Sequence, residues 1–368
     1  MVPDLSTLRV ASWLEKTAYV TCDVVSPKQE QLVSIAPRSV LRRQCARLKK
    51  HGFSGIGASE LEYFLYHDSY EQAHQKGYRR LEAYGGSLGD YQMLQATRTE
   101  KFNGAMRRHL KSSGVPVESS KGEYGRGQNE LNIRYADVLT MSDRHVVYKQ
   151  AFREVASELG ISVTFMAKPH SDQSGNSCHL HINLADLNGK NIFAGNEEFD
   201  GVLCSPTFRH FLGGWIKHTP ALMPFYAPTI NSYKRFYASS WAPTRLGWSV
   251  DNRTAGFRVV GQGDSLRIEC RIPGADANPY LAYAAAIASG LDGVLNKIEP
   301  GHAGAPSSSV SLPQSLTDAV ALLRESSFAR NTFGDDVVDH YTHYYESEVA
   351  SFDRTVTDWE RSRYFEQI

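Results

Sequence analysis

SELEYFL, residues 59–65, alternates strictly: Glu60 and Glu62 fall on one side, and Leu61, Tyr63 and Leu65 on the other. A period of two is the mark of a β-strand, whose successive side chains point to opposite faces. Three more segments repeat the pattern. In NELNIRY (129–135), Glu130, Asn132 and Arg134 oppose Leu131, Ile133 and Tyr135. In CHLHINL (178–184), His179, His181 and Asn183 oppose Cys178, Leu180, Ile182 and Leu184. In LRIECRI (266–272), Arg267, Glu269 and Arg271 oppose Leu266, Ile268, Cys270 and Ile272. One such segment is what a sheet with one solvated face looks like. Four together say more, because exposed faces carry Thr, Ser, Lys and mixed charge, whereas these carry Glu, His, Arg and Asn. Several glutamates on one face repel one another unless a cation lies between them.

Helical stretches lie between the strands. Pro37 to Lys50 and Leu316 to Arg324 read as helices. Ser142 opens a stretch with Tyr148, Phe152, Val155 and Leu159 on one face, and Gly160 closes it. Asn278-Pro279 opens an Ala-rich helix reaching about Ile298, with Pro at the first helical position. Asp335 to Ile368 is amphipathic with a break near Asp353, and Tyr341, Tyr344 and Tyr345 read as helix packing within it. Tyr84–Asp90 (YGGSLGD) and Gly301–Ser309 (GHAGAPSSS) read as loops. The implied fold is α+β: a curved, mostly antiparallel sheet with a polar concave face and helices covering the apolar face.

Length and composition fit this. The 368 residues are 41% hydrophobic, enough for a packed core. Lys plus Arg number 40, as do Asp plus Glu. With no basic excess to neutralise phosphates, nucleic acid is not the expected partner. The five cysteines, Cys22, Cys45, Cys178, Cys204 and Cys270, are scattered and read as reduced thiols of a cytoplasmic protein. Cys178 and Cys270 sit on apolar faces and read as buried small hydrophobes rather than nucleophiles. No apolar run is long enough to span a membrane, and MVPDLSTLRV lacks a signal-peptide pattern.

The chemistry follows from the residue types. Glu and His donors suit Mg²⁺ or Mn²⁺ rather than a thiolate site. Paired carboxylates two apart on a strand can address two ions, the arrangement expected for moving a phosphoryl group. Arginines on the same surface would clamp carboxylate or phosphate. The chain carries no P-loop and no kinase signature set, so any nucleotide is held by other devices.

The ordered motifs resemble glutamine synthetase: ASELEYFLY (58–66), EYGRGQNE (123–130), TFMAKP (164–169), GNSCHLHINL (175–184), INSYKRF (230–236), WAPTRLGWSVDNRTAGFR (241–258) and LRIECRIPGADANPYLAYAAAIASGLDGV (266–294). The resemblance implies one metal on Glu62, Glu123 and Glu130, and another on Glu60, His179 and Glu269. It implies glutamate bound by Arg235 and Arg271, with the Gly175 backbone near its amino group. Arg253 and Arg258 would stabilise the transferring phosphate, with Arg253 also beside the substrate and Arg258 also beside the nucleotide. His181, Asn183 and Arg267 would lie near ATP. The implied reaction has two steps: the γ-carboxylate of glutamate attacks the terminal phosphate of ATP, and an amine then displaces phosphate from γ-glutamyl phosphate. ATP as co-substrate and two to three Mg²⁺ or Mn²⁺ sites are the expected cofactors.

Three departures from the family matter. Where a loop Glu usually follows the Arg of NSYKR by six residues, this chain has Trp241. An indole offers an apolar wall and a cation–π face rather than a charge. It resembles the γ-glutamyl-polyamine and γ-glutamyl-ethanolamide synthetases and favours a primary amine over ammonia. On the nucleotide side, Asp264 in GQGDS stands near the usual Lys, and Asn183 replaces the usual Ser. Finally, residues 1–368 read as a catalytic domain without the family's N-terminal β-grasp domain, which packs on a neighbouring subunit. A homo-oligomer is expected where that domain is present. Glutamine synthetase using ammonia and a non-catalytic binding or regulatory relative are the alternatives.

Overall fold

The computed structural model describes residues 1–28, 31–237, 240–304 and 311–368. The loop expected at Gly301–Ser309 therefore lies partly outside the described residues. All four alternating segments fall in one nine-stranded sheet. Its order is Trp248–Val250, Phe257–Val260, Arg267–Cys270, Cys178–Asp186, Phe53–Tyr66, Gln128–Ile133 and Val117–Gly122. Two short strands, Ala136–Asp137 and Ser162–Thr164, also pair with Phe53–Tyr66. The pairings are antiparallel apart from Trp248–Val250 beside Phe257–Val260. The long central strand Phe53–Tyr66 is where the two halves of the polar face meet.

Alternation decides which side is covered. Leu61, Tyr63, Leu65, Leu131, Leu180, Ile182, Ile268 and Cys270 are buried in the core. Helices Pro37–Lys50 and Val138–Glu158 pack on the central strand, and Pro279–Asn296 packs on both helices. The helix expected from Ser142 starts four residues earlier, because the Asp137 side chain accepts from the Thr140 N–H and caps it there. Ser142 instead donates to the Val138 carbonyl inside the helix. Asn278 caps Pro279–Asn296, which ends where Lys297 turns left-handed. Leu316–Glu325 forms as expected, and the C-terminal segment divides into Asp335–Asp353 and Asp358–Tyr364, the second capped by Thr357. Tyr341 and Tyr345 are buried, as helix packing requires, while Tyr344 is exposed. Among the described residues, no helix is long and apolar enough to cross a membrane.

Four helices were not legible as such: Tyr70–Gln75, Met93–Ser112, Pro206–Tyr226 and Ser327–Phe333. Pro206–Tyr226 carries Pro220, Pro224 and the pair Gly213-Gly214, all breakers by local propensity. It survives because it lies against Pro279–Asn296 with backbone touching backbone. A Cβ on Gly214 would collide with the Ser289 carbonyl, and one on Gly293 with the His210 carbonyl.

Beneath the sheet, His145 of Val138–Glu158 is fully enclosed. Its Nδ1 lies 3.0 Å from Ser59 Oγ, and its Nε2 is buried without a partner among the described residues. Burial, and next the charge of Lys149, lower its pKa from 6.5 to about 3. The imidazole is thus neutral in the fold, while the unfolded chain takes up a proton near pH 6.5. The stability this supplies is complete above pH 6.5 and is lost as pH falls from 6.5 toward 3, at roughly 1.4 kcal/mol per unit. His145→Gln is expected to flatten the acid limb of Tm against pH relative to the wild type. Parallel curves between pH 6.5 and 4 would refute this.

Candidate active site

Sheet register sets the site. Glu60 stands opposite His179, Glu62 opposite Glu130, and His181 and Arg258 opposite Glu269 on its two sides. These are not solvated residues: Glu62, Glu130, His179, His181 and Glu269 are all buried. A sheet face that buries this much charge needs counter-charges, and the structure supplies them in two groups.

In the first group, carboxylate oxygens of Glu62, Glu123 and Glu130 lie within 4.8 Å of one another. Glu62 is fixed by the Ser177 N–H at 2.7 Å and the Ser177 hydroxyl at 2.6 Å, and Gln128 Nε2 donates to it at 3.3 Å. Glu130 accepts from Asn132 Nδ2 at 2.8 Å. Burial, then the charge of Glu123, pushes the Glu62 carboxyl up. Burial, then Glu60 and Glu123, pushes Glu130 well above the usual range. Lys121 is ion-paired with Glu123, and its Nζ lies 3.9 Å from Glu130. Burial lowers the Lys121 pKa, but Glu130 and Glu123 outweigh this and raise it.

In the second group, ligand atoms of Glu60, His181 and Glu269 lie within 4.8 Å of one another. His179, the histidine expected here, is in contact too: its Nδ1 is 3.0 Å from Glu60 and 3.5 Å from Glu269. Glu60 spans both rings, with its other oxygen 2.8 Å from His181 Nε2. Burial raises Glu60, but the hydrogen bonds and charges of His179 and His181 hold it below the carboxylate range. Burial raises Glu269, and His179, His181 and Arg271 outweigh it. Arg258 Nη1 donates to Glu269 at 2.9 Å, and Arg271 pairs with its other oxygen. Two compact sets of buried oxygen and nitrogen donors, crowded with like charge, suit divalent cations of the Mg²⁺ or Mn²⁺ kind.

The first group, with Glu60 and His179 of the second, opens into a cavity of about 1060 Å³, which Gly175, Arg235, Trp241, Arg253, Arg258 and Arg271 also line. Arg235 is buried and donates to the Ile272 carbonyl at 3.0 Å. Gly175 is needed there: a Cβ would lie 2.6 Å from the Ala167 carbonyl and 2.7 Å from Arg235 Cγ. Trp241 is 62% exposed. His181, Asn183 and Arg267 line an adjoining cavity of about 860 Å³, together with Asp264. Glu60 and Asn132 line both cavities. Arg267 Nε donates to His181 Nδ1 at 3.2 Å. Of the residues expected from the sequence, all but Glu269 thus line one of two adjoining cavities, and Glu269 is fully buried behind Arg258 and Arg271, which it pairs with. Cys178 and Cys270 are buried, with burial pushing the Cys178 thiol up to about 12, as befits inert thiols.

Four contributors had not been foreseen. Gln128 bridges Glu62, the Gly175 carbonyl at 3.0 Å and Asn176 Oδ1 at 3.0 Å, joining the first cluster to the Gly175 backbone. Asn132, Ser177 and Lys121 brace the first cluster. Gln128 and Asn132 alternate with Glu130 on one strand, which was the available signal.

Comparison with known proteins agrees with this geometry. The family described as "Glutamine synthetase, catalytic domain" matches residues 34–364. Gamma-glutamylethanolamide synthetase GlnA4 of Streptomyces coelicolor is 41% identical over 373 residues, covering 100% of this chain and 79% of that protein. The glutamate–isopropylamine ligase of a Pseudomonas species is 36% identical, covering 100% and 81%. A solved structure described as a GmaS/ADP complex superposes with a TM-score of 0.89 at 28% identity, over 99% of this chain and 84% of that one. The chain therefore belongs to the glutamine synthetase family, whose catalytic domain it matches over residues 34–364.

Proposed function

We propose that residues 1–368 act as one catalytic domain that uses ATP to join the γ-carboxyl of glutamate to a primary amine. The observation that carries this is the convergence of Glu62, Glu123, Glu130, Glu60 and His179 with Arg235, Arg253, Arg258 and Arg271 on one cavity that has an indole, not a carboxylate, at Trp241. The similarity to ligases of ethanolamine and isopropylamine supports the choice of nucleophile.

Arg235 and Arg271 grip the α-carboxylate of glutamate, with Gly175 leaving room for its amino group. Arg253 and Arg258 meet the transferred phosphoryl group and balance its charge. His181, Asn183 and Arg267 hold the nucleotide in the adjoining cavity. Mg²⁺ or Mn²⁺ on Glu62, Glu123 and Glu130, and on Glu60, His179 and Glu269, would neutralise phosphate oxygens and orient the terminal phosphate. A γ-carboxylate oxygen attacks that phosphorus as the bond to ADP breaks. The amine nitrogen then attacks the acyl carbon, the C–O bond to phosphate breaks, and the nitrogen loses a proton. Trp241 offers an apolar wall to the carbon body of the amine and keeps water from the acyl phosphate. Assembly into a homo-oligomer is proposed for this domain where it is joined to the family's N-terminal domain.

The test is direct. The protein is incubated with ATP, Mg²⁺, glutamate and, in parallel, ammonium, methylamine, ethanolamine, isopropylamine, putrescine and spermidine, and γ-glutamyl products are read by mass. Product with an organic amine is expected. Product with ammonium only would make this a glutamine synthetase, and no product with any nucleophile would favour a non-catalytic relative. Trp241→Glu is expected to lower kcat/KM for the organic amine by about 10- to 100-fold, the range in which a pocket discriminates by apolar contact. An unchanged value would remove Trp241 from the amine site.

A further inference from the structure

Lys121 sits on the edge strand Val117–Gly122, directly opposite Glu130 in the sheet register. It is ion-paired with Glu123, lies 3.9 Å from Glu130 and lines the large cavity. The charges around it are countable. Glu62, Glu123 and Glu130 together carry three negative charges when ionised. One divalent cation and one lysine balance them. With the cation but without the lysine, one negative charge would remain beside the cavity. A residual charge of that kind attracts a small monovalent cation, and ammonium is one.

We propose that Lys121 is a specificity-determining residue whose tethered ammonium group fills the monovalent-cation position beside Glu123 and Glu130. This rests on the amide-ligase reading above. Ammonium has charge and no carbon, so with that position filled it gains little from the cluster. A primary amine keeps a second handle, its carbon body. Tyr91, Tyr124 and Trp241 line the same cavity and are all more than half exposed, so apolar surface is available to receive it. Lys121 acts through its charge and takes no part in proton transfer. Its side chain is 37% exposed on an edge strand, so replacing it leaves the core intact.

The experiment uses the full chain with Lys121→Met, which keeps the length, and Lys121→Arg, which keeps the charge. The ratio of kcat/KM for isopropylamine or ethanolamine to that for ammonium is expected to fall at least about tenfold in K121M and to stay within about threefold of wild type in K121R. Calorimetric titration with ammonium chloride against sodium chloride, in the presence of Mn²⁺, is expected to show ammonium binding in K121M and not in the wild type or K121R. Mn²⁺ binding itself is expected to persist in K121M. An unchanged selectivity ratio, no gain of ammonium binding, or loss of Mn²⁺ binding would each overturn the inference, the last by reducing Lys121 to a brace for the cluster. Should the wild type form no amide with any nucleophile, the ligase reading fails, while the ammonium titration still decides the role of Lys121.

Discussion

Glu269→Gln is expected to lower kcat/KM for amide formation by about 10³ or more, with the fold retained. Removal of one preorganised electrostatic group costs ~10²–10³ in rate, and Glu269 serves several at once. It is 0% exposed, accepts from Arg258 and Arg271, lies 3.5 Å from His179 and groups with Glu60 and His181. Gln keeps the shape and one acceptor oxygen. Its amide NH₂ then faces a guanidinium donor, so one arginine loses its partner and its direction. The arginine released is either Arg271, proposed above to meet the glutamate carboxylate, or Arg258, proposed to meet the phosphate. The cluster of Glu60, His181 and Glu269, proposed above to hold a cation, loses a charged donor in the same stroke. Rates are followed by phosphate release and by product mass, the fold by circular dichroism, and metal binding by Mn²⁺ titration. Activity within tenfold of the wild type would show that Glu269 is a structural ion-pair partner only.

The strands of the site were legible because each alternates without a break. A one-residue slip would have sent Glu60 and Glu62 into the core and Leu61 and Tyr63 to the cavity, so pattern and register are one piece of information. Glu123 and Gly175 came from motif resemblance, since they lie outside the strands and no periodicity marks them. The choice of His179 over His181 likewise came from motif resemblance and not from the strand pattern. His179 and His181 share a face, and only the three-dimensional placement of Glu60 shows that it reaches both rings. Lys121 was hidden for a different reason. VESSKG (117–122) has almost no apolar residue to alternate with, as this half-buried edge strand is covered by polar contacts instead. Helix Pro206–Tyr226 was masked by its glycines and prolines, whose local cost is offset by close packing visible only once the neighbouring helix is in place.

Arg38→Ala is expected to be the most damaging single change to stability while leaving the chemistry in place. Arg38 begins in the first turn of helix Pro37–Lys50 and is almost wholly enclosed. It donates to both oxygens of Asp143 at 2.9 Å, to Asp23 at 2.7 Å and to Asp4 at 2.8 Å. Tyr280 of the Pro279–Asn296 helix donates to the same Asp143 at 2.6 Å. One guanidinium therefore ties the N-terminal segment to three helices of the core. Truncating it leaves the buried Asp143 carboxylate without a counter-charge, while Asp23 still pairs with Arg42; breaking a buried pair costs ~3–5 kcal/mol. At this chain length that is a fall in Tm of roughly 5–10 °C. Arg38 lines neither cavity, so kcat/KM at a temperature well below the transition is expected to stay near wild type. The cause can be separated from lost packing. Arg38→Met restores most of the volume and none of the charge, so it is expected to remain nearly as unstable as R38A. Adding Asp143→Asn to R38M removes the most buried orphan carboxylate and is expected to recover a substantial part of the loss, since a neutral pair in place of a buried ion pair is often no less stable. If R38M alone recovered the wild-type Tm, packing and not charge would be what Arg38 supplies. If R38A shifted Tm by less than about 2 °C, the network would be a surface-like ion pair of little worth.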